Sequence, residues 1–209
     1  NANFALNWVI DSCCFSKGST NCISITIIRP AGADFDVNVQ IKNCLFFAGS
    51  SAISSAINVA ASGANSFNGG GVDVYNCTNF GGSMLVTSSN ISTSIPITIY
   101  NCFTISGQLS AINANTSGQI VEDYNIIYAS TPRTNVTAGT HSISDGSYAP
   151  LFFTGHEYYS VGANLMPFGM PKPGSPLLGF GNQASSPTVD ILNAARPSGF
   201  VIGSSGTAT

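Results

Sequence analysis

Charge is scarce in this chain. Its 209 residues include six Lys and Arg, nine Asp and Glu and two His, so only 7% of positions are charged, against about 25% in ordinary soluble domains. Few cations and no basic cluster exclude a nucleic-acid partner held through its phosphates. The shortage of acids and histidines also limits metal binding and proton-transfer chemistry, which need such groups gathered in one place. No apolar run approaches the ~20 residues that cross a bilayer, so membrane insertion is not expected. No basic stretch leading into an apolar segment marks a signal peptide, and the first residue is Asn1 rather than Met. Amphipathic helical patterns with caps are missing too, which leaves strands to bury an apolar content of 44%.

What the chain does contain is a phrase that returns four times. It reads Ile10-Asp11-Ser12-Cys13, Ile41-Lys42-Asn43-Cys44, Val74-Tyr75-Asn76-Cys77 and Ile99-Tyr100-Asn101-Cys102, each with Gly five positions after the Cys. A fifth, altered copy reads Val121-Glu122-Asp123-Tyr124, and the Cys positions, with Tyr124 as the last, are 31, 33, 25 and 22 residues apart. Apolar residues alternate around each phrase, as in Val39 and Ile41 or Val72 and Val74, which is the period of a half-buried strand.

Repetition at this length without helical crossovers points to stacked coils, an all-β right-handed parallel β-helix. An antiparallel β-sandwich also has many short strands, but it gives no reason for a repeated phrase. The expected organisation is a single domain, with coils over 1–130, an irregular closing region over 131–203 and a tail or linker over 204–209. Trp8 to Phe15 already reads as a mid-solenoid coil, so the chain is expected to be a segment of a longer protein.

Parallel stacking converts each position of the phrase into a row. Asn43, Asn76 and Asn101, with Ser12 and Asp123, become a polar ladder at a bend, while Cys13, Cys44, Cys77 and Cys102 become a ladder of buried thiols. In-register residues about 4.8 Å apart are too far for a disulfide, and a straight row cannot wrap a tetrahedral zinc, so no metal and no cofactor are expected. Cys14 and Cys22 fall off the ladder in one coil and are candidates for a loop disulfide. Alternation places Asp11, Lys42, Tyr75, Tyr100 and Glu122 on the outer face of one sheet beside Gln40, Asp73 and Thr98. Lys42, Asp73, Tyr75, Tyr100 and Glu122 are therefore the candidate contact residues for a sugar or a protein partner, stacked tyrosines beside carboxylates being suited to sugar rings. Asn76, Asn90, Asn115 and Asn135 lie in N-x-S/T sequons.

The repeat fades after Ala129, and the order of the remaining segments is informative. Tyr148-Ala-Pro-Leu-Phe-Phe153, Glu157-Tyr-Tyr-Ser-Val161, Pro173-Gly-Ser-Pro-Leu-Leu-Gly179, then Val189 to Gly199 and Val201-Ile-Gly203 resemble the closing region of secreted bacterial β-helix proteins of the pectate-lyase-like superfamily. Three positions depart from that pattern: Ala149 before Pro150, Gly179-Phe180-Gly181 in place of Asp-Ala-Gly, and Asn193 in place of the Gly after Asp190. The superfamily spans lyases, hydrolases, tailspikes and adhesins, so the resemblance implies a fold more than an activity.

Catalytic groups are hard to assemble from this sequence. Asp34 and Asp36 read as solvated loop acids with calcium binding as the sharper alternative, and His156 and His141 have no evident partner. No catalytic residue is assigned. The expected function is that of an extracellular structural or adhesive β-helix, a surface, filament or virion subunit that contacts copies of itself, other surface proteins or polysaccharide. The alternative is a polysaccharide lyase or glycoside hydrolase of the same superfamily.

Overall fold

A computed structural model describes residues 4–16, 21–28, 35–47, 55–62, 69–81, 84–89, 95–106, 110–144, 179–182, 184, 186–190, 193, 195 and 196. The coils run in order. The first holds β1 (Phe4–Asp11), β2 (Cys14–Ser16) and β3 (Asn21–Ile28). The second holds β4 (Phe35–Lys42), β5 (Leu45–Phe47) and β6 (Ser55–Ser62), and the third β7 (Gly69–Tyr75), β8 (Thr78–Gly81) and β9 (Met84–Ser89). The fourth holds β10 (Ile97–Tyr100), β11 (Phe103–Ser106) and β12 (Ile112–Asn113). The fifth holds β13 (Ile120–Asp123), β14 (Ile126–Tyr128) and β15 (Arg133–Thr134), and β16 (Ile143–Ser144) comes after it.

Equivalent strands stack into three parallel sheets: sheet A is β1-β4-β7-β10-β13, sheet B is β2-β5-β8-β11-β14-β16 and sheet C is β3-β6-β9-β12-β15. The chain is a parallel β-helix. β15 and β16 carry the stacking past residue 130 as far as Ser144. The segments 145–178 and 197–209, which hold much of the family-like closing sequence, lie outside the described residues, as do Asp34, Asn90 and His156.

Inward rows of Val and Ile form the core. Val39, Val72 and Ile97 stand over one another in sheet A, as do Ile41, Val74 and Ile99, and all six are buried. Sheet B places Phe15 on Phe46, with ring centroids 5.2 Å apart and planes within 11°. Below them in the same row Asn79 donates to Thr104 inside the core. The other face of sheet B is also apolar, with Phe103 and Ile126 buried among Phe80, Ile105, Ile143 and Phe180. Burial on both faces explains why β5 and β14 read as apolar runs rather than as alternation.

The corner between sheets A and B is the most regular feature of the molecule. Ser12, Asn43, Asn76, Asn101 and Tyr124 all adopt positive φ, between 48 and 56°. This region is disfavoured for residues with a Cβ, and Asn tolerates it best after Gly. The next residue turns inward, and here the thiols act. Cys44 bonds the carbonyl oxygens of Ile10 and Lys42, Cys77 those of Ile41 and Tyr75, and Cys102 those of Val74 and Tyr100, at Sγ···O distances of 3.2–3.7 Å. The Cys77 N–H in turn donates to Cys102 Sγ. A thiol therefore bridges polar backbone groups of successive coils at the bend, where strand pairing is interrupted.

The fifth coil is displaced by one residue from the register expected of it. Ile99 pairs with Glu122 and Tyr100 with Asp123, so Tyr124 holds the positive-φ position and Asn125 the Cys position. Asn125 fills that role with a stronger donor and acceptor: Oδ1 accepts from the Cys102 N–H and Nδ2 donates to the Ile99 carbonyl, both at 2.8 Å. Asp123 is thus not a member of the polar ladder, and Glu122 is not on the outer face. Glu122 points inward in the aliphatic row and is 2% exposed.

Cys14 and Cys22, the candidates for a loop disulfide, are both thiols here, Cys14 exposed at the start of β2 and Cys22 packed against the core in sheet C. Asn76 is fully buried, so its sequon is closed to a glycan in the folded chain.

Burial pushes the Cys13 and Cys14 thiols up. Cys44 is raised most by its hydrogen-bonded neighbour Cys77 and then by burial, while for Cys77 burial comes first. Since the thiolate is the reactive form, a disulfide reagent at neutral pH should label exposed Cys14 first and leave Cys44 and Cys77 unmodified until the chain unfolds. Rapid stoichiometric labelling of Cys77 in the native protein would contradict the buried ladder.

Candidate functional site

The register sets two outer rows on sheet A beside the corner. The first is Asp11, Lys42, Tyr75, Tyr100 and Asp123, and the second is Val9, Gln40, Asp73, Thr98 and Val121. Four of the five residues expected on this face are brought together there: Lys42, Asp73, Tyr75 and Tyr100. Glu122 is replaced by Asp123.

The charged and aromatic members of the stripe are engaged by their neighbours. Lys42 Nζ lies 3.3 Å from Asp11 Oδ2, and Asn43 Nδ2 donates to the other oxygen of that carboxylate at 3.0 Å. Burial acts to raise the Asp11 pKa, but bonds from Asn43 and Ser12 and the charge of Lys42 outweigh it and hold the group below its ordinary value. Thr98 donates to Asp73 across one coil step. The rings of Tyr75 and Tyr100 are tilted by 31° with centroids 6.4 Å apart, and partial burial together with the Asp73 carboxylate pushes the Tyr75 phenol up.

At the foot of the stripe Asp123 meets His141. Asp123 Oδ2 is 2.9 Å from His141 Nδ1, and Oδ1 accepts the backbone N–H of both His141 and Tyr124. These bonds hold the Asp123 carboxyl below its usual range in spite of the opposing effect of burial. The imidazole stacks on Tyr124, with centroids 4.3 Å apart and planes within 13°. Sequence reading misses this pair because it sets the fifth coil one residue early. Placing Asn125 on the Cys row would have put Asp123 beneath Tyr100.

Behind that surface pair lies a buried one. Glu122 Oε1 accepts from Arg133 Nε at 2.6 Å and from the Gly139 N–H at 2.8 Å, while Oε2 accepts from Asn125 Nδ2 and Ser142 Oγ at 2.7 and 2.6 Å. Arg133 also donates to Ser144. A Cβ on residue 139 would sit 2.2 Å from the Glu122 carbonyl oxygen, so glycine is what lets this segment lie flat on β13. With both oxygens occupied and no solvent access, Glu122 is a structural anion that ties the last coil to the segment crossing its end.

A strap from the far end of the chain runs along the corner. The amide of Asn101 exchanges bonds with the Asn182 backbone at 2.6 and 2.8 Å and donates to Ser186 Oγ, and Arg196 Nη2 donates to Asn43 Oδ1 at 2.8 Å. Asn43 and Asn101 therefore bond outward, to Asp11 and the strap. Within the strap Asn193 has φ 61° in a tight turn closed by its N–H to the Asp190 carbonyl. Asn suits this position, since it tolerates the left-handed region better than other residues with a Cβ. Burial lowers the Arg196 pKa to about 10 against the opposing pull of Asp190.

The stripe can pack a flat apolar face on its rings and exchange hydrogen bonds at its edges. The His141–Asp123 pair can hold or pass a proton, but the described residues place no nucleophile against it. Among the described residues no three of His, Cys, Asp and Glu gather as metal ligands. No known family model matches the chain, and neither the curated proteins nor the solved structures contain a match to it.

Removing one partner of a buried ion pair strands the other, which costs about 3–5 kcal/mol. Glu122→Gln should therefore destabilise strongly in urea denaturation, and the double change Glu122→Leu with Arg133→Met should recover much of the loss. A Glu122→Gln protein as stable as the wild type would show that the pair does not anchor the end.

Proposed function

We propose that this chain belongs to an extracellular structural or adhesive β-helix protein, a stalk, filament or coat subunit of a cell surface or virion. Its partners are copies of itself or other surface proteins. The observation that carries this reading is the employment of the acids on and behind sheet A. Asp11, Asp73, Glu122 and Asp123 are each bound between coils or between the last coil and the segment that crosses it. A glycoside hydrolase instead turns two carboxylates toward one open groove around the scissile bond. The low charge suits lateral packing, since fewer ions must be desolvated when such surfaces meet. The resemblance of the closing sequence to the secreted pectate-lyase-like superfamily supports placement outside the cell.

A second reading, contact with polysaccharide, is favoured by the rings of Tyr75 and Tyr100 stacked on one face of sheet A beside Asp73, with His141 bonded to Asp123 in the same row. Aromatic faces beside hydrogen-bonding groups suit sugar rings. Retention on immobilised glycans, monitored in parallel with release of new reducing or unsaturated ends, separates these readings from the enzyme. The structural reading expects ordered assemblies and no bond cleavage. Under glycan contact, Tyr100→Ala loses retention while its melting temperature stays close to that of the wild type. Turnover of a polysaccharide by the purified chain would overturn the structural reading in favour of a lyase or hydrolase.

A further inference from the structure

The two ends of the solenoid differ in kind. At the C-terminal end the inward rows turn polar, with Glu122 in the aliphatic row and Asn125 in the thiol row. The segment from Asn135 to Ser142 crosses them, placing Val136 on the core and the Gly139 and His141 N–H groups on the carboxylates of β13.

At the N-terminal end the described residues show no such change. The inward rows of β1 and β2 hold Leu6, Ile10, Cys13 and Phe15, which pack against the core, and the register places Trp8 in the same row opposite Val39. Trp8 is 54% exposed, whereas Val39 and Val72 in the same row are buried. The corner ladder is one step short as well. Each later thiol reaches a carbonyl of the coil before it, and Cys13 reaches Asp11 of its own coil. An eight-residue strand with an open edge and an apolar inner row is a template for another strand.

We propose that this face is covered by a further parallel coil of the same polypeptide, N-terminal to Asn1, that continues all three sheets. Opposite Leu6, Trp8 and Ile10 it carries apolar residues, opposite Cys13 a Cys or Asn, and opposite Phe15 a ring or branched aliphatic. A second copy fits the face less well in either orientation. Stacked head to tail, it would offer the segment that crosses its own last coil in place of a free edge of sheet A. Stacked head to head, it would run β1 antiparallel to its mate and lose the thiol-to-carbonyl register of the corner. This inference does not depend on the function proposed above.

Trp8 is the sole tryptophan, so fluorescence reports on this end alone. The 209-residue chain is compared with one that carries an added coil, a repeat of residues 4–34 with Val at the position of Trp8, fused ahead of Phe4. The expected result is red-shifted, readily quenched emission from the 209-residue chain at every concentration. In the extended chain the emission shifts to the blue, acrylamide quenching falls several-fold and the melting temperature rises.

Three results would overturn the proposal. Trp8 could be shielded in the 209-residue monomer, or become shielded as a dimer forms, or stay quenchable in a folded extended chain. Should the added coil fail to fold, Trp8→Ser in the 209-residue chain decides. An unchanged melting temperature with weaker binding of an apolar dye supports an open end, and a large fall shows that the chain already buries Trp8.

Discussion

The corner between sheets A and B is the constraint on which the rest of the structure depends. Parallel strands pair without difficulty along their length, but a chain that turns between sheets needs an unusual backbone conformation and interrupts the ladder there. A left-handed residue with a Cβ costs roughly 1–2 kcal/mol, less for Asn. Backbone groups left without partners in the interior cost about 1–3 kcal/mol each. Asn43, Asn76 and Asn101 address the first cost, and the side chains of the next row address the second, Cys102 Sγ accepting the Cys77 N–H and Asn125 Oδ1 that of Cys102. Cysteine suits the position because it is small and apolar enough for the core yet retains a weak donor and acceptor. With the corner fixed, the directions of the two sheets, the rows of Val and Ile and the outer stripe are fixed with it.

In the fifth coil the same corner is rebuilt with stronger groups. Asn125 takes the thiol's place with an amide, Tyr124 occupies the left-handed position under a stacked imidazole, and Glu122 enters the aliphatic row with its charge matched by Arg133. Such a pair is weak evidence for stability in its own right, because desolvating both ions is costly. What it supplies at this end is an anchor: the segment that crosses the core must place Arg133, Gly139 and Ser142 around one carboxylate. The strap adds a second fastening, spanning the corner from Asn43 to Asn101 through Arg196, Asn182 and Ser186.

Much of this is legible from residue order. The four phrases ending in Cys13, Cys44, Cys77 and Cys102 carry the register of four coils, the inward rows and the tyrosine stripe. The fifth coil is misread because Asp123-Tyr124 occupies the expected spacing, while the pair that plays the corner role, Tyr124-Asn125, uses neither Asn nor Cys in the usual places. The segment from Asn135 to Ser142 lies against β13 in place of another sheet A strand, so the side chains of β13 answer to that segment rather than to the ladder, and the repeat stops predicting them. The Asp123–His141 pair is hidden for that reason. The strap is hidden for another: bonds such as Arg196 to Asn43 join positions 153 residues apart, and no periodicity encodes them.

The measurement that tests the corner most directly is native-state hydrogen exchange at the backbone amides of Cys77 and Cys102. If the side chains of Cys102 and Asn125 hold these two groups, both amides exchange as slowly as those of Val72 and Val74 within sheet A, and Asn125→Ala releases Cys102 selectively. Exchange of either wild-type amide at the rate of an exposed turn would mean that the bend is not held by its ladder.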